Sequence, residues 1–184
     1  MTIETRGDVA PLRLLAISGS LRASSSNTSL LRLAMEVAPD DVRVLMYEGL
    51  ASLPHFNPDD DVDTPPPPVL DLRARVGDAD GLLFCSPEYA HGVPGSLKNA
   101  LDWMVSDAAM IGKPIGLLNA SARSTIAHPQ LAETLRTMSA TIVEGASIVV
   151  SLDGRRLDAA GIAADPALAA PLRRALEALR NNRP

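Results

Sequence analysis

The stretch Gly81-Leu82-Leu83-Phe84-Cys85-Ser86-Pro87-Glu88-Tyr89-Ala90-His91-Gly92-Val93-Pro94-Gly95-Ser96-Leu97-Lys98-Asn99-Ala100-Leu101-Asp102-Trp103 runs from an unbroken apolar segment, through a proline-stiffened loop, into an amphipathic helical pattern. The same order occurs near the N-terminus. There Leu14-Leu15-Ala16-Ile17 precedes Gly19-Ser20-Leu21-Arg22-Ala23-Ser24-Ser25-Ser26-Asn27 and a second helical pattern. Short apolar runs bounded by turn residues read as strands buried on both faces. In an open parallel sheet, the loops leaving the carboxyl ends of the strands form the ligand crevice. Two unusual loops at equivalent strand ends therefore point to one shared site, the first suited to a phosphate and the second to a flat ring.

Working outward, strand and helix patterns alternate along the chain. Leu12–Ser18 reads as a strand, and residues 27–37 as a helix with Leu30, Leu33, Ala34 and Val37 on one face. Val42–Tyr47 is the second strand. A polar excursion follows through Leu53-Pro54-His55-Phe56-Asn57 and the acidic run 59–63, which reads as a solvated loop rather than a metal site, to the prolines Pro65–Pro68. A helix over 69–76 leads to the third strand, 81–86. The next helix reaches Val105, with Leu97, Leu101, Met104 and Val105 toward the core. Pro114–Asn119 is the fourth strand, and 125–140 is a helix carrying Leu131, Leu135 and Met138 on one face. Ser147–Leu152 reads as the last strand. Asp165-Pro166 opens the final helix, with Leu168, Leu172, Ala175, Leu176 and Leu179 aligned. This alternation predicts an α/β fold: a flavodoxin-like, doubly wound, five-stranded parallel sheet with helices on both faces. The 184 residues read as a single domain, with residues 1–11 a flexible N-terminal extension.

Aromatic residues make up 3% of the chain, so the core must be built from Leu, Val, Ile, Ala and Met. A net charge of −5 argues against a general nucleic-acid binder, whose footprint is a broad basic surface. Cys85 is the only cysteine, which excludes an intramolecular disulfide. It reads as a buried small hydrophobe rather than a reactive thiol. The first eleven residues lack the apolar core of a secretory signal, and no apolar run approaches membrane-spanning length. A cytoplasmic protein without membrane partners is expected.

A phosphate at a helix N-terminus meets unpaired backbone N–H groups and the positive end of the helix dipole. In the first loop Ser18, Ser20, Ser24, Ser25, Ser26 and Asn27 add short donors, and Arg22 adds a planar charged fork. The spacing matches neither the nucleoside-triphosphate loop nor the dinucleotide fingerprint. A terminal phosphomonoester fits better. The competing reading is a plain serine-rich turn with Asn27 as helix cap.

In the second loop Pro87 fixes its own φ and extends Ser86, while Gly92 permits a turn and Pro94 starts the helix. Such a loop holds Tyr89 and the 87–89 backbone against a planar heterocycle at small entropic cost. Glu88 and Asp102 have no obvious partner for acid–base hydrolysis. His91 reads as a loop histidine without a function, and Trp103 as a packing residue.

These residues resemble the NAD(P)H-dependent FMN reductases, flavodoxin-like enzymes that include quinone, chromate and azo-dye reductases. The resemblance covers residues 12–153. It is carried by Pro87–Trp103, Gly19–Asn27 and the Leu-Pro-x-Phe-Asn loop at Leu53–Asn57. It implies that Ser20, Arg22, Ser26 and Asn27, with Ser18 and Thr28 nearby, hold the FMN phosphate. Pro87, Glu88, Tyr89 and Ala90 would line the isoalloxazine, and the turn carrying Ser121, Arg123 and Ser124 would close over its other edge. Many members have Asn directly after the Tyr, where this chain has Ala90.

The resemblance further implies a homodimer or homotetramer using NADPH or NADH to reduce a small-molecule acceptor, a quinone, flavin, chromate-like or azo compound. No metal and no catalytic side chain are expected, because FMN carries the chemistry. Two other readings stand beside it: an FMN electron carrier without NAD(P)H turnover, and a non-flavin module binding another phosphorylated ligand.

Overall fold

In a computed structural model the described residues are 10–152 and 165–183. The extension expected at residues 1–11 falls almost wholly outside them. Five parallel strands, β1 (Leu12–Ser18), β2 (Val42–Met46), β3 (Gly81–Cys85), β4 (Pro114–Asn119) and β5 (Thr141–Val149), form one sheet in the order β2-β1-β3-β4-β5. This is the flavodoxin-like order expected from the alternation. The connecting helices are α1 (Ser26–Glu36), α2 (Pro67–Asp78), α3 (Gly95–Asp102) and α4 (Ala127–Thr137), and α5 (Pro166–Asn181) follows β5.

Alternation along the strands sorts the core into two layers. Leu12, Leu14 and Ala16 of β1 pack with Leu30, Leu31 and Leu33 of α1 and with Leu172, Leu176 and Leu179 of α5. Leu15 and Ile17 face the other way, onto Leu72 and Val76 of α2, Leu97 and Leu101 of α3, and Leu131 and Leu135 of α4. The sheet is therefore covered on both faces, as its nearly all-apolar strands require. Winding reverses between β1 and β3, so the loops leaving these two neighbours diverge and open a crevice. Their ends lie level: Ser18 pairs with Cys85, and the Gly19 N–H donates to the Cys85 carbonyl at 2.9 Å.

Several boundaries differ from expectation, three of them with a physical reason. β5 begins at Thr141, ahead of the expected start at Ser147. Ile142 pairs with Ile115 but Ser147 pairs with Leu117, so residues 143–146 bulge out of the ladder. Glu144-Gly145 breaks the apolar pattern there and hides the strand from a periodicity reading. Helix α3 ends at Asp102, and Val105 is 67% exposed rather than core. Helix α2 starts at Pro67, because prolines need no N–H partner in a first helical turn.

Candidate functional site

The site is built at the carboxyl ends of β1, β3 and β4. Ser25 caps α1, its side chain accepting the Thr28 N–H at 3.4 Å. Asn27, assigned the cap in the plain-turn reading, instead lies buried in the first helical turn. The first N–H groups of a helix have no intrahelical acceptor. Those of Ser26 and Asn27 therefore remain available where both residues line a cleft of about 380 Å³. The Ser18 and Thr28 hydroxyls bond each other at 2.9 Å, and the Ser20 N–H donates to Ser18 Oγ at 3.3 Å, tying the loop to its strand.

The loop after β3 forms a second wall. Tyr89 and Gly92 exchange backbone hydrogen bonds, Tyr89 N to Gly92 O at 3.1 Å and Gly92 N to Tyr89 O at 2.9 Å. This two-residue hairpin puts Ala90 at φ 49° and His91 at φ 57°. Such a turn favours Asn or Gly at both central positions, so an Asn after the Tyr would also serve the backbone here.

The Glu88 carboxylate accepts the N–H groups of Ile126 at 2.9 Å and Ala127 at 2.8 Å, with the Ser124 hydroxyl at 3.4 Å and His91 Nδ1 at 3.1 Å. Hydrogen bonds from the Ala127 and Ile126 amides, with a smaller contribution from His91, hold its pKa below the usual carboxylate range. Glu88 thus fastens the hairpin to the N-terminus of α4 as a fixed anion.

The third wall is the turn after β4. Buried Asn119 shapes it, accepting the Ser121 N–H on Oδ1 at 3.0 Å and donating from Nδ2 to the Ser124 carbonyl at 3.0 Å. The cleft is lined by Ser26 and Asn27, by Ser86, Pro87 and Glu88, and by residues 119–121, 123 and 124. Of the expected site residues, Ser26, Asn27, Pro87, Glu88, Ser121, Arg123 and Ser124 meet there. Ser18 at the end of β1, Thr28 in the first turn of α1, and Ser20, Arg22, Tyr89 and Ala90 on the adjoining loops stand outside its lining. Ser86 and Asn119 are additions. Asn119 carried a signal, a lone amide closing the otherwise apolar strand 114–119.

Behind the cleft, Asn99 and Trp103 explain the rest of the long motif. Asn99 accepts the Phe56 N–H at 2.7 Å and donates to the Pro54 carbonyl at 2.9 Å, and the Trp103 indole N–H reaches the same carbonyl at 2.8 Å. Phe56 meets Trp103 edge-on, with centroids 5.0 Å apart. The 53–57 loop is thereby pinned to α3. Asp102 pairs with Lys98 at the surface, and Asp61 of the acidic run accepts from Arg73 at 2.8 Å.

The family model described as NADPH-dependent FMN reductase matches residues 12–154. The protein belongs to that family. An NAD(P)H-dependent FMN reductase of Pseudomonas aeruginosa is 32% identical over 174 residues, covering 92% of this chain and 94% of the relative. A probable NADPH:quinone oxidoreductase of Oryza sativa subsp. japonica is 45% identical over 102 residues, 53% of this chain and 50% of the relative. The matched stretch thus spans about half the length of that rice protein, and 48% of an Arabidopsis thaliana counterpart. Among solved structures, FerB, a flavoenzyme NAD(P)H:(acceptor) oxidoreductase from Paracoccus denitrificans, superposes with TM-score 0.78 at 23% identity, covering 94% of this chain and all of that one. Its likeness shows the fold. FMN as cofactor and NAD(P)H as reductant are the properties by which the family is described.

The residues present fit FMN. The cleft lies within the roughly 300–1,000 Å³ of small-molecule sites. It offers unpaired N–H groups and a serine at one end and a proline-stiffened wall beside it. Among the described residues no helix is long and apolar enough to cross a membrane.

Proposed function

We propose that this protein is an FMN-dependent oxidoreductase taking reducing equivalents from NADPH or NADH to a quinone or a related flavin, azo or chromate-like acceptor. The observation that carries the reading is the single cleft joining the α1 N-terminus to the loops after β3 and β4, in a member of the FMN reductase family. Bound FMN would supply the hydride and electron chemistry. The protein's part is to hold and orient. Ser26 and Asn27 present their backbone N–H groups to the phosphate, Ser20 and Arg22 reach it from the preceding loop, and Ser18 and Thr28 brace that loop.

Pro87, Tyr89 and Ala90 flank the ring, with Glu88 fixing their position through α4. Ser121, Arg123 and Ser124 border the opposite edge. Cytoplasmic location, a homodimer or homotetramer and a single domain over residues 1–184 belong to the same reading. The electron-carrier alternative is not favoured, since the named relatives are reductases and oxidoreductases.

The test is steady-state oxidation of NADPH and NADH by the FMN-loaded protein with a benzoquinone. Quinone-dependent turnover with parallel double-reciprocal lines is expected. Absence of turnover with either nucleotide, in protein that retains FMN, overturns the reading in favour of a carrier.

A further inference from the structure

Cys85 ends β3 directly behind the cleft, and its thiol joins two of the cleft's walls. The thiol lies 3.2 Å from Asn27 Oδ1 on α1. A thiol carries one proton. That proton goes to Asn27, and the amide atom facing it is the carbonyl oxygen. Nδ2 then points away from Cys85. Asn27 lines the cleft, and among the described residues no buried side-chain nitrogen or oxygen lacks a partner. Among the described residues, Oδ1 to Cys85 is the one side-chain bond Asn27 makes, so Nδ2 is open to the cleft.

We propose that Cys85 is a positioning residue: by donating its S–H to Asn27 Oδ1, it locks the amide with its Nδ2 hydrogens turned toward the phosphate of the bound mononucleotide. This rests on the reading that the phosphate sits at the α1 N-terminus. An unlocked Asn can turn its oxygen to the cleft, and an oxygen facing a phosphate repels it. The pair also accounts for a cysteine on an otherwise hydrocarbon strand, 81–84. Burial pushes the thiol pKa up, so the proton stays in place at neutral pH.

The test titrates apoprotein with FMN and with riboflavin, following flavin fluorescence, in wild type, Cys85→Ala, Cys85→Ser, Asn27→Ala and the Cys85→Ala/Asn27→Ala pair. Circular dichroism verifies that each variant is folded. Loss of one neutral hydrogen bond predicts that Cys85→Ala weakens FMN binding about 3–10-fold and riboflavin binding less than about twofold. Cys85→Ser keeps a donor and should restore most of the difference. In the Asn27→Ala background, Cys85→Ala should add nothing. Equal losses for both flavins, or additive losses in the pair, overturn the positioning role while leaving the phosphate site intact. An Asn27→Ala variant that still separates FMN from riboflavin as wild type does overturns the phosphate assignment, and this proposal with it.

Discussion

Replacing Gly19 by alanine probes how closely the two loop-bearing strands approach. A Cβ at Gly19 would overlap Ser86 Oγ and lie 2.9 Å from Ser86 Cβ and 3.0 Å from Leu97 Cδ2. Rotating the Ser86 hydroxyl away relieves the first contact but gives up its bond to the Pro87 carbonyl at 3.1 Å. The other two remain, because Cβ is fixed to the backbone and Leu97 is fully buried. Overpacking of this kind costs about 1–3 kcal/mol, or roughly 2–12 °C in Tm for a domain of this size. Thermal denaturation by circular dichroism should show the full loss for Gly19→Ala alone, partial recovery when Ser86→Ala is added, and recovery of more than half with Ser86→Gly, which removes both Ser86 contacts. FMN affinity should fall in the single variant, since Ser86 lines the cleft. A Gly19→Ala protein with unchanged Tm, or one that Ser86→Gly fails to rescue, would refute the close approach.

At the hairpin, Ala90→Gly removes the penalty of a left-handed alanine, about 1–2 kcal/mol, against a glycine entropy cost of roughly 0.5–1. A net gain of about 0.5–1 kcal/mol, or roughly 1–4 °C in Tm, is expected in thermal denaturation. Glu88 has a folded-state pKa below its unfolded one. Its clamp is therefore at full strength above the ordinary carboxylate range and fails as pH falls through the lowered value. Glu88→Gln should flatten the acid limb of the Tm–pH profile relative to wild type. Asn99→Leu breaks both bonds to the 53–57 loop, costs about 1–3 kcal/mol, and should raise hydrogen exchange at the Phe56 amide. Arg22→Ala should weaken FMN binding far more than riboflavin binding; equal losses would remove Arg22 from the phosphate site.

The fold was legible because its strands are short apolar runs that alternate with one-sided helices, a pattern that admits few arrangements. β1 and β4 match their expected bounds at both ends. The element that escaped, the first half of β5, lies where Glu144 and Gly145 bulge out of the ladder and cancel periodicity. For the site, the loops were readable because serine and proline clusters have strong local meaning. What each side chain does there was less readable. Glu88 stands in the motif as an apparent ring neighbour, yet its partners Ile126 and Ala127 are distant in sequence and meet it only through the β3–β4 adjacency. Trp103, expected to pack, is wholly buried, and its polar atom explains its place by pinning Pro54. Cys85 is the buried small residue expected, but its bond to Asn27 needed two strand ends brought level.

The most direct test of the central claim is a crystal structure of the FMN-loaded protein. Density for the phosphate is expected on the N–H groups of Ser26 and Asn27, with the ring against Pro87–Tyr89 and its far edge toward the 121–124 turn. A phosphate bound elsewhere, or a ring outside this cleft, would contradict it.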